Sequence, residues 1–246
     1  MCDTESKSKR EIPDKGNPGM KSRMIVFASL ASLALAFPAF AQQVNPATFV
    51  GKAGDCGTGY AAGSRIVTAA WLTGLGLPDN GGLNSNPVDP TNNPSKANPH
   101  SGLLVSKNGP TADCSSSGAN ITKVKGITLT EIGFDIRNGS HCSGGSPRFD
   151  VQASDGFHFL GGCGNGTQTP APQDPQWTRV RIDPTNPSQS FPVIAAGATI
   201  QSISITFDEG TDTTGGMPGL AVLDNIDING VLVGAGKPGE NGKGGN

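Results

Sequence analysis

Short apolar runs of period two, separated by clusters of Gly, Pro, Asn and Asp, constrain this chain more than any other feature. Over residues 200–207 (IQSISITF), Ile203, Ile205 and Phe207 alternate with Ser202, Ser204 and Thr206, so an extended backbone has one apolar and one polar face. Less regular versions of the signature mark residues 64–72, 103–105, 127–137, 148–154, 157–160, 177–182, 220–228 and 231–233. Asp155-Gly156 and Asn229-Gly230 stand between consecutive runs and are favoured in tight hairpin turns. With 36 Gly and 19 Pro in 246 residues, turns are frequent, and no amphipathic helical period follows residue 41. Eight or nine short strands of this kind predict an all-β fold, an antiparallel two-sheet sandwich of jelly-roll-like type with few helices.

Two stretches depart from the pattern. In residues 127–137 the apolar parity changes from odd (Ile127, Leu129) to even (Ile132, Phe134, Ile136), which predicts a β-bulge near Thr130 and Glu131, because an unbroken strand would turn its apolar face to water. Residues 77–101 carry Pro78, Pro87, Pro90, Pro94 and Pro99 among many Asn residues, which forbids a regular ladder and predicts a long loop.

The N-terminal 41 residues read as an extension and a cleavable signal peptide. Lys21 and Arg23 precede the uncharged run MIVFASLASLALAF, and Ala39-Phe40-Ala41 is a small-x-small cleavage site before Gln42. The run is short for a membrane span, and no Cys follows the cleavage point to carry a lipid, so no membrane anchor is expected. Met20 or Met24 is a more natural start than Met1. Residues 42–233 are then a single β-sandwich domain, and the Gly-rich residues 234–246 a disordered tail. The expected location is secreted, extracellular or periplasmic.

Export gives the cysteines their meaning. Cys56, Cys114, Cys142 and Cys163 remain after cleavage, an even number in an oxidising compartment, and two disulfides are expected. Cys142 and Cys163 flank the hairpin around residue 155, which favours their pairing and leaves Cys56 with Cys114. Zinc is the rival reading, but there is no C-x-x-C, and His141 adjoins Cys142 instead of standing at ligand spacing.

Charge is sparse. Residues 1–41 hold six basic groups (Lys7, Lys9, Arg10, Lys15, Lys21, Arg23) and four acidic ones (Asp3, Glu5, Glu11, Asp14) of the 18 Lys+Arg and 20 Asp+Glu, leaving 12 against 16. A body of net −4 has no basic footprint for nucleic acid or an anionic membrane.

No catalytic motif stands out. A G-x-S-x-G elbow is absent, as are H-E-x-x-H, P-loop and dinucleotide fingerprints, and His100, His141 and His158 read as loop or strand residues. A sandwich glycosidase would need paired carboxyls, and the body has Glu only at 131, 209 and 240. Two constellations remain as candidate sites. Phe207 leads into Asp208, Glu209 and Asp212, and the returning strand 220–228 places Asp224 in the same parity as Leu220, Val222, Ile226 and Ile228. Without a bulge Asp224 points into the sheet interior, where it would ligate a cation, accept backbone N–H bonds, or be protonated. Calcium suits such oxygen ligands as a structural ion, although the spacing is not D-x-D-x-D-G, and a strand-end Asp bound to loop amides answers the pattern as well. On residues 177–182, Trp177, Arg179 and Arg181 share one side, an arrangement that can hold a sugar if the ring is open, or can plug the sandwich end if it is not. Trp71 reads as a core residue.

The segments GITLTEIGFDIRNG, SPRFDVQASDGFHF, TPAPQDPQWTRVR, FDEGTD and AVLDNIDINGVLVG together resemble a group of secreted bacterial β-sandwich proteins to which no activity is attached. The LDNIDI strand is similar to the closing strand of jelly-roll carbohydrate-binding modules and galactose-binding-like domains. That resemblance implies an acidic residue of this strand, Asp224, beside a structural calcium. The expected function is a secreted, non-catalytic domain that binds an extracellular glycan or another ligand, the alternatives being a polysaccharide-active enzyme and a structural envelope or matrix protein.

Overall fold

The alternating runs become strands because each has a face to bury. A computed structural model describes residues 42–77, 101–213 and 215–233. The expected signal peptide, the expected disordered tail and most of the Asn/Pro-rich loop lie outside these residues. The strands are β1 (Gln43–Val50), β2 (Ala61–Ala62), β3 (Val67–Thr73), β4 (Ser101–Lys107), β5 (Asp113–Thr122), β6 (Ile132–Arg137), β7 (Arg148–Ala153), β8 (Gly156–Gly161), β9 (Thr167–Pro170), β10 (Trp177–Ile182), β11 (Ser190–Phe191), β12 (Ile200–Phe207), β13 (Leu220–Ile228) and β14 (Val231–Val233). The helical content of the described residues is a single 3-10 turn, Cys163–Asn165.

Sheet one has the order β1-β5-β12-β7-β8-β11, with β2 parallel to β5. Sheet two has the order β3-β4-β13-β6-β10-β9, with β14 beside β13. The other pairings are antiparallel. Partners nest around the β7–β8 hairpin: β6 with β10, β5 with β12, β4 with β13, alternately in one sheet and the other. A long hairpin rolled up on itself gives this order, which is that of a jelly roll. All the described residues fall in one compact unit.

Between the sheets lie Ile121, Phe149, Val151, Ile203, Ile205 and Phe207 from one side and Leu103, Val105, Phe134, Ile136, Val180 and Leu223 from the other. Each such side chain, fully withdrawn from water, stabilises the fold by about 1.5–3 kcal/mol before conformational entropy is counted. Trp71 packs against this core with its indole N–H donating to the Val44 carbonyl at 3.0 Å.

The parity change in residues 127–137 has a different cause from the expected bulge. Residues 123–131 are not strand: they carry the chain from β5 in sheet one to β6 in sheet two. Leu129 and Ile127 reach the core from this crossover, and Asn229 Oδ1 accepts the Thr130 and Glu131 amides. The bulge lies instead in β13, between Asp224 and Asp227, where Asn225 takes a φ of 45°. The β7–β8 turn is Ser154–Asp155, one residue earlier than the Asp-Gly pair, since Gly156 already pairs with Ala153. Asn229-Gly230 closes β13–β14 as expected, both residues at positive φ.

Both disulfides form as the spacing suggested. Cys56–Cys114 and Cys142–Cys163 have Cα separations of 5.5 and 5.0 Å.

Candidate functional site

The bulge in β13 decides where its acids point. Ala221 and Leu223 face the core, so Val222 and Asp224 face away from it, and the extra residue at the bulge returns Ile226 and Ile228 to the core. Asp224 is therefore not aimed between the sheets as the unbroken parity implied. It is buried on the outer face of sheet two, beneath residues 76–77, and its carboxylate accepts the amides of Leu77 at 2.6 Å and Asn225 at 2.7 Å. Gly76 is required there, because a Cβ would meet the Ser101 carbonyl and the Asp224 carboxylate.

Trp177, Arg179 and Arg181 lie on this same outer face and turn inward on protein partners. Trp177 is 1% exposed, packed with Leu77, Ala171 and Val222, so its ring has no open side for a sugar. Arg179 forms a two-pronged bond to Asp135, Nε at 2.9 Å and Nη2 at 3.0 Å, and these bonds raise the guanidinium pKa. Arg181 donates to the Phe134 and Val180 carbonyls and lies 3.5 Å from Asp227; burial pushes its pKa down. Burial likewise pushes the Asp227 carboxyl above the ordinary range, against the pull of Arg181. Asn225 Nδ2 completes the network on Asp135 at 2.8 Å. The exposure of Asp135, Asp224 and Asp227 is 0%, 2% and 4%, so the carboxylates of this face are sealed by the protein's own donors.

Asp208, Glu209 and Asp212 belong to another place, the loop after β12. Asp208 binds Arg148 Nη1 at 2.7 Å, and Asp212 accepts the amide and hydroxyl of Thr111, both at 2.7 Å. Those Thr111 bonds hold the Asp212 carboxyl below its ordinary pKa. Glu209 lies 2.7 Å from Nε2 of the buried His141. The Pro218 carbonyl, 3.1 Å from Nδ1, can only accept, so that contact calls for the hydrogen on Nδ1, and Nε2 faces Glu209. His141 thus staples the 208–219 connection to the segment before β7. Among the described residues no three His, Cys, Asp or Glu side chains converge as a metal ion would need.

Asp208 and Glu209 do line a cleft of about 530 Å³ that opens on the outer face of sheet one. Arg148 and Asp150 of β7, Thr206 of β12 and Ser116 of β5 form its floor, and Phe49, Tyr60 and Phe159 are its aromatic walls. Arg148 is fixed from several sides: Nε to Asp150 at 2.9 Å, Nη1 to Asp208 and to the Gly145 carbonyl, and its guanidinium carbon 4.8 Å from the centre of the Phe159 ring. Asp150 accepts the Thr206 hydroxyl at 2.6 Å with its other oxygen. Unlike the acids of sheet two, the side chains of Asp150, Asp208 and Glu209 keep 19%, 37% and 21% of their surface in solvent.

The closed end of the cleft is built on Lys107, 1% exposed, whose ammonium donates to the carbonyls of Asp113 and Thr111 at 2.6 and 3.0 Å. Burial lowers its pKa, opposed by Asp208, Asp113 and Asp212. Burial works to raise the Asp113 carboxyl, but hydrogen bonds from Ser115 and Ser64 and the charge of Lys107 outweigh it and hold it below the ordinary range. Each cleft carboxylate thus has a fixed donor, while hydroxyls, a guanidinium and three ring edges remain within reach of a ligand. A shallower groove along Thr48, Ser116, Gly118, Asn120, Ser204 and Thr206 continues the cleft across the same face.

Sequence reading missed Arg148, Asp150, Phe159, Phe49, Tyr60 and Lys107. Two signals were present: β4 places Lys107 in the parity of the buried Leu103 and Val105, and β8 places Phe157 and Phe159 opposite His158 and Leu160. No family model, curated protein or solved structure matches this chain.

Proposed function

We propose that this chain is an exported, non-catalytic jelly-roll protein that binds carbohydrate through the outer face of sheet one. The observation that carries the reading is the cleft in which Phe49, Tyr60 and Phe159 surround the Arg148–Asp150–Asp208 cluster. Sugars present hydroxyl edges to paired donors and acceptors and C–H faces to aromatic rings, and this concavity offers both within one volume. Its formal charge disfavours an anionic ligand, because Asp113, Asp150, Asp208 and Glu209 outnumber Lys107 and Arg148. Two disulfides fit an oxidising compartment, and no helix among the described residues is long and apolar enough to cross a membrane. The resemblance of the LDNIDI segment to the closing strand of jelly-roll carbohydrate-binding modules is an analogy of architecture only.

A glycan array probed with the purified protein and with Arg148→Ala and Phe159→Ala tests the reading. Binding of neutral glycans that both substitutions abolish supports it. An array without hits overturns it, and glycan turnover lost in Asp208→Asn or Glu209→Gln would make the protein an enzyme.

A further inference from the structure

Seven phenylalanines lie in residues 42–233. Phe134, Phe149 and Phe207 are buried between the sheets, while Phe49, Phe157, Phe159 and Phe191 stand on the outer face of sheet one. Phe157 and Phe191 are 56% and 46% exposed, although each sits in a strand whose neighbouring residue is buried. Rings left this open on a rigid sheet mark a contact surface. They also adjoin one another, with Phe159 at the corner of the patch. Phe191 faces Phe159 across the β11–β8 pairing, with ring centres 6.4 Å apart, and Phe157 follows two residues along on the same face of β8. Phe159 belongs to this patch and to the wall of the cleft at once.

We propose that the cleft ligand is a neutral polysaccharide chain, which leaves the cleft past Phe159, crosses the β8–β11 edge of sheet one and stacks on Phe191 and Phe157. The inference rests on the carbohydrate reading and adds to it a second subsite and a minimum chain length. Phe191 lies one strand across from Phe159 and Phe157 two residues along β8, so the two open rings extend the contact surface beyond the cleft in both directions and give a chain longer than the cleft more to touch. Continuity through Phe159 favours a glycan over a separate partner, because the open rings begin where the polar cleft ends. A second copy of this protein seated on Phe157 and Phe191 would instead appear as self-association.

Titration calorimetry of the purified protein with glucose, xylose and N-acetylglucosamine oligomers of two and six units tests this. For the sugar that binds, the six-unit oligomer is expected to bind more tightly than the two-unit one. Replacing both rings (Phe157→Ala with Phe191→Ala) should weaken the six-unit oligomer by about tenfold, equivalent to about 1.4 kcal/mol, and leave the two-unit oligomer unchanged. Tyrosine at both positions, which keeps a stacking ring, should restore the long-chain affinity. Equal effects on both lengths, or none, overturn the second subsite and leave the cleft reading standing. Failure of every oligomer to bind overturns both. A sedimentation change from dimer to monomer in the double variant would assign the rings to self-association and also overturn the proposal.

Discussion

The two outer faces of this sandwich use the same chemistry, arginine against aspartate, in opposite states of access. On sheet two the arginines come from β10 and the acids from β6 and β13, and segment 75–77 with its apolar neighbours closes over part of the network. On sheet one Arg148 and Asp150 come from β7, Asp208 from the end of β12, and the surrounding walls stand back to leave a cleft. Charge pairs alone therefore do not identify a binding face. What distinguishes sheet one is that its carboxylates meet water and its aromatic rings are uncovered, whereas Trp177 on sheet two is packed away.

The largest expected effect lies on the sealed face. Asp135→Ala would strand Arg179 and Asn225 at a carboxylate site withdrawn from water, and removing one partner of such a network costs about 3–5 kcal/mol. Urea unfolding checks this, and a loss below 1 kcal/mol would show that the sheet-two network is solvated like a surface pair. Next come the disulfides, both of which end beside sheet one, at Cys114 in β5 and at Cys163 just after β8. Removing Cys142–Cys163 with paired serines releases a closure over 21 residues and should lower stability by about 3 kcal/mol. The intact protein should show no free thiol among these four cysteines when denatured.

Arg148→Ala inverts the pattern. Its carboxylate partners keep part of their surface in solvent, so the expected stability loss is only about 1.5–3 kcal/mol, while ligand binding should disappear. A variant that kept its binding would remove sheet one from the account.

Acid titration separates the faces most finely. Asp113 has a folded pKa below the unfolded value, so the stability it contributes is present above the ordinary carboxylate range and is lost as pH falls through that range and below. Asp227 has a folded pKa above the unfolded value, so its contribution is present below the ordinary range and is lost as pH rises through and just above it. Relative to the native chain, Asp227→Asn should gain stability as pH rises above about 4, and Asp113→Asn should lose it as pH rises toward about 4 from below. Melting curves taken on both sides of that value check the opposite slopes.

The sequence made the apolar strands legible and left the polar ones obscure, for a physical reason. Ile200–Phe207, Trp177–Ile182 and Leu220–Ile228 announce themselves because their buried faces are aliphatic or aromatic. β5 was missed because DCSSSGANIT buries Ser115, Ser117 and Gly118, whose small side chains carry no hydrophobic signal. β1 was missed because Pro46 argues against a strand, yet β1 is an edge and needs no second ladder there. Cysteine pairing was readable from hairpin geometry. The orientation of Asp224 was not, since one bulged residue, Asn225 in a left-handed conformation, reverses every parity argument made across it.

The cleft lay beyond reach for a further reason: it joins residues from six strands and the β12–β13 connection, so no local pattern contains it. Asp208 and Glu209 were singled out as metal ligands, and the fold sets them instead against Arg148 and His141.

The most direct test of which face works is an amide chemical-shift titration of the isotopically labelled protein with the glycan selected on the array. The account predicts saturable shifts at Ser116, Arg148, Asp150, Phe159 and Thr206, with Asp135, Trp177 and Arg179 unmoved. Shifts confined to the residues of sheet two, or none at saturating ligand, would contradict it.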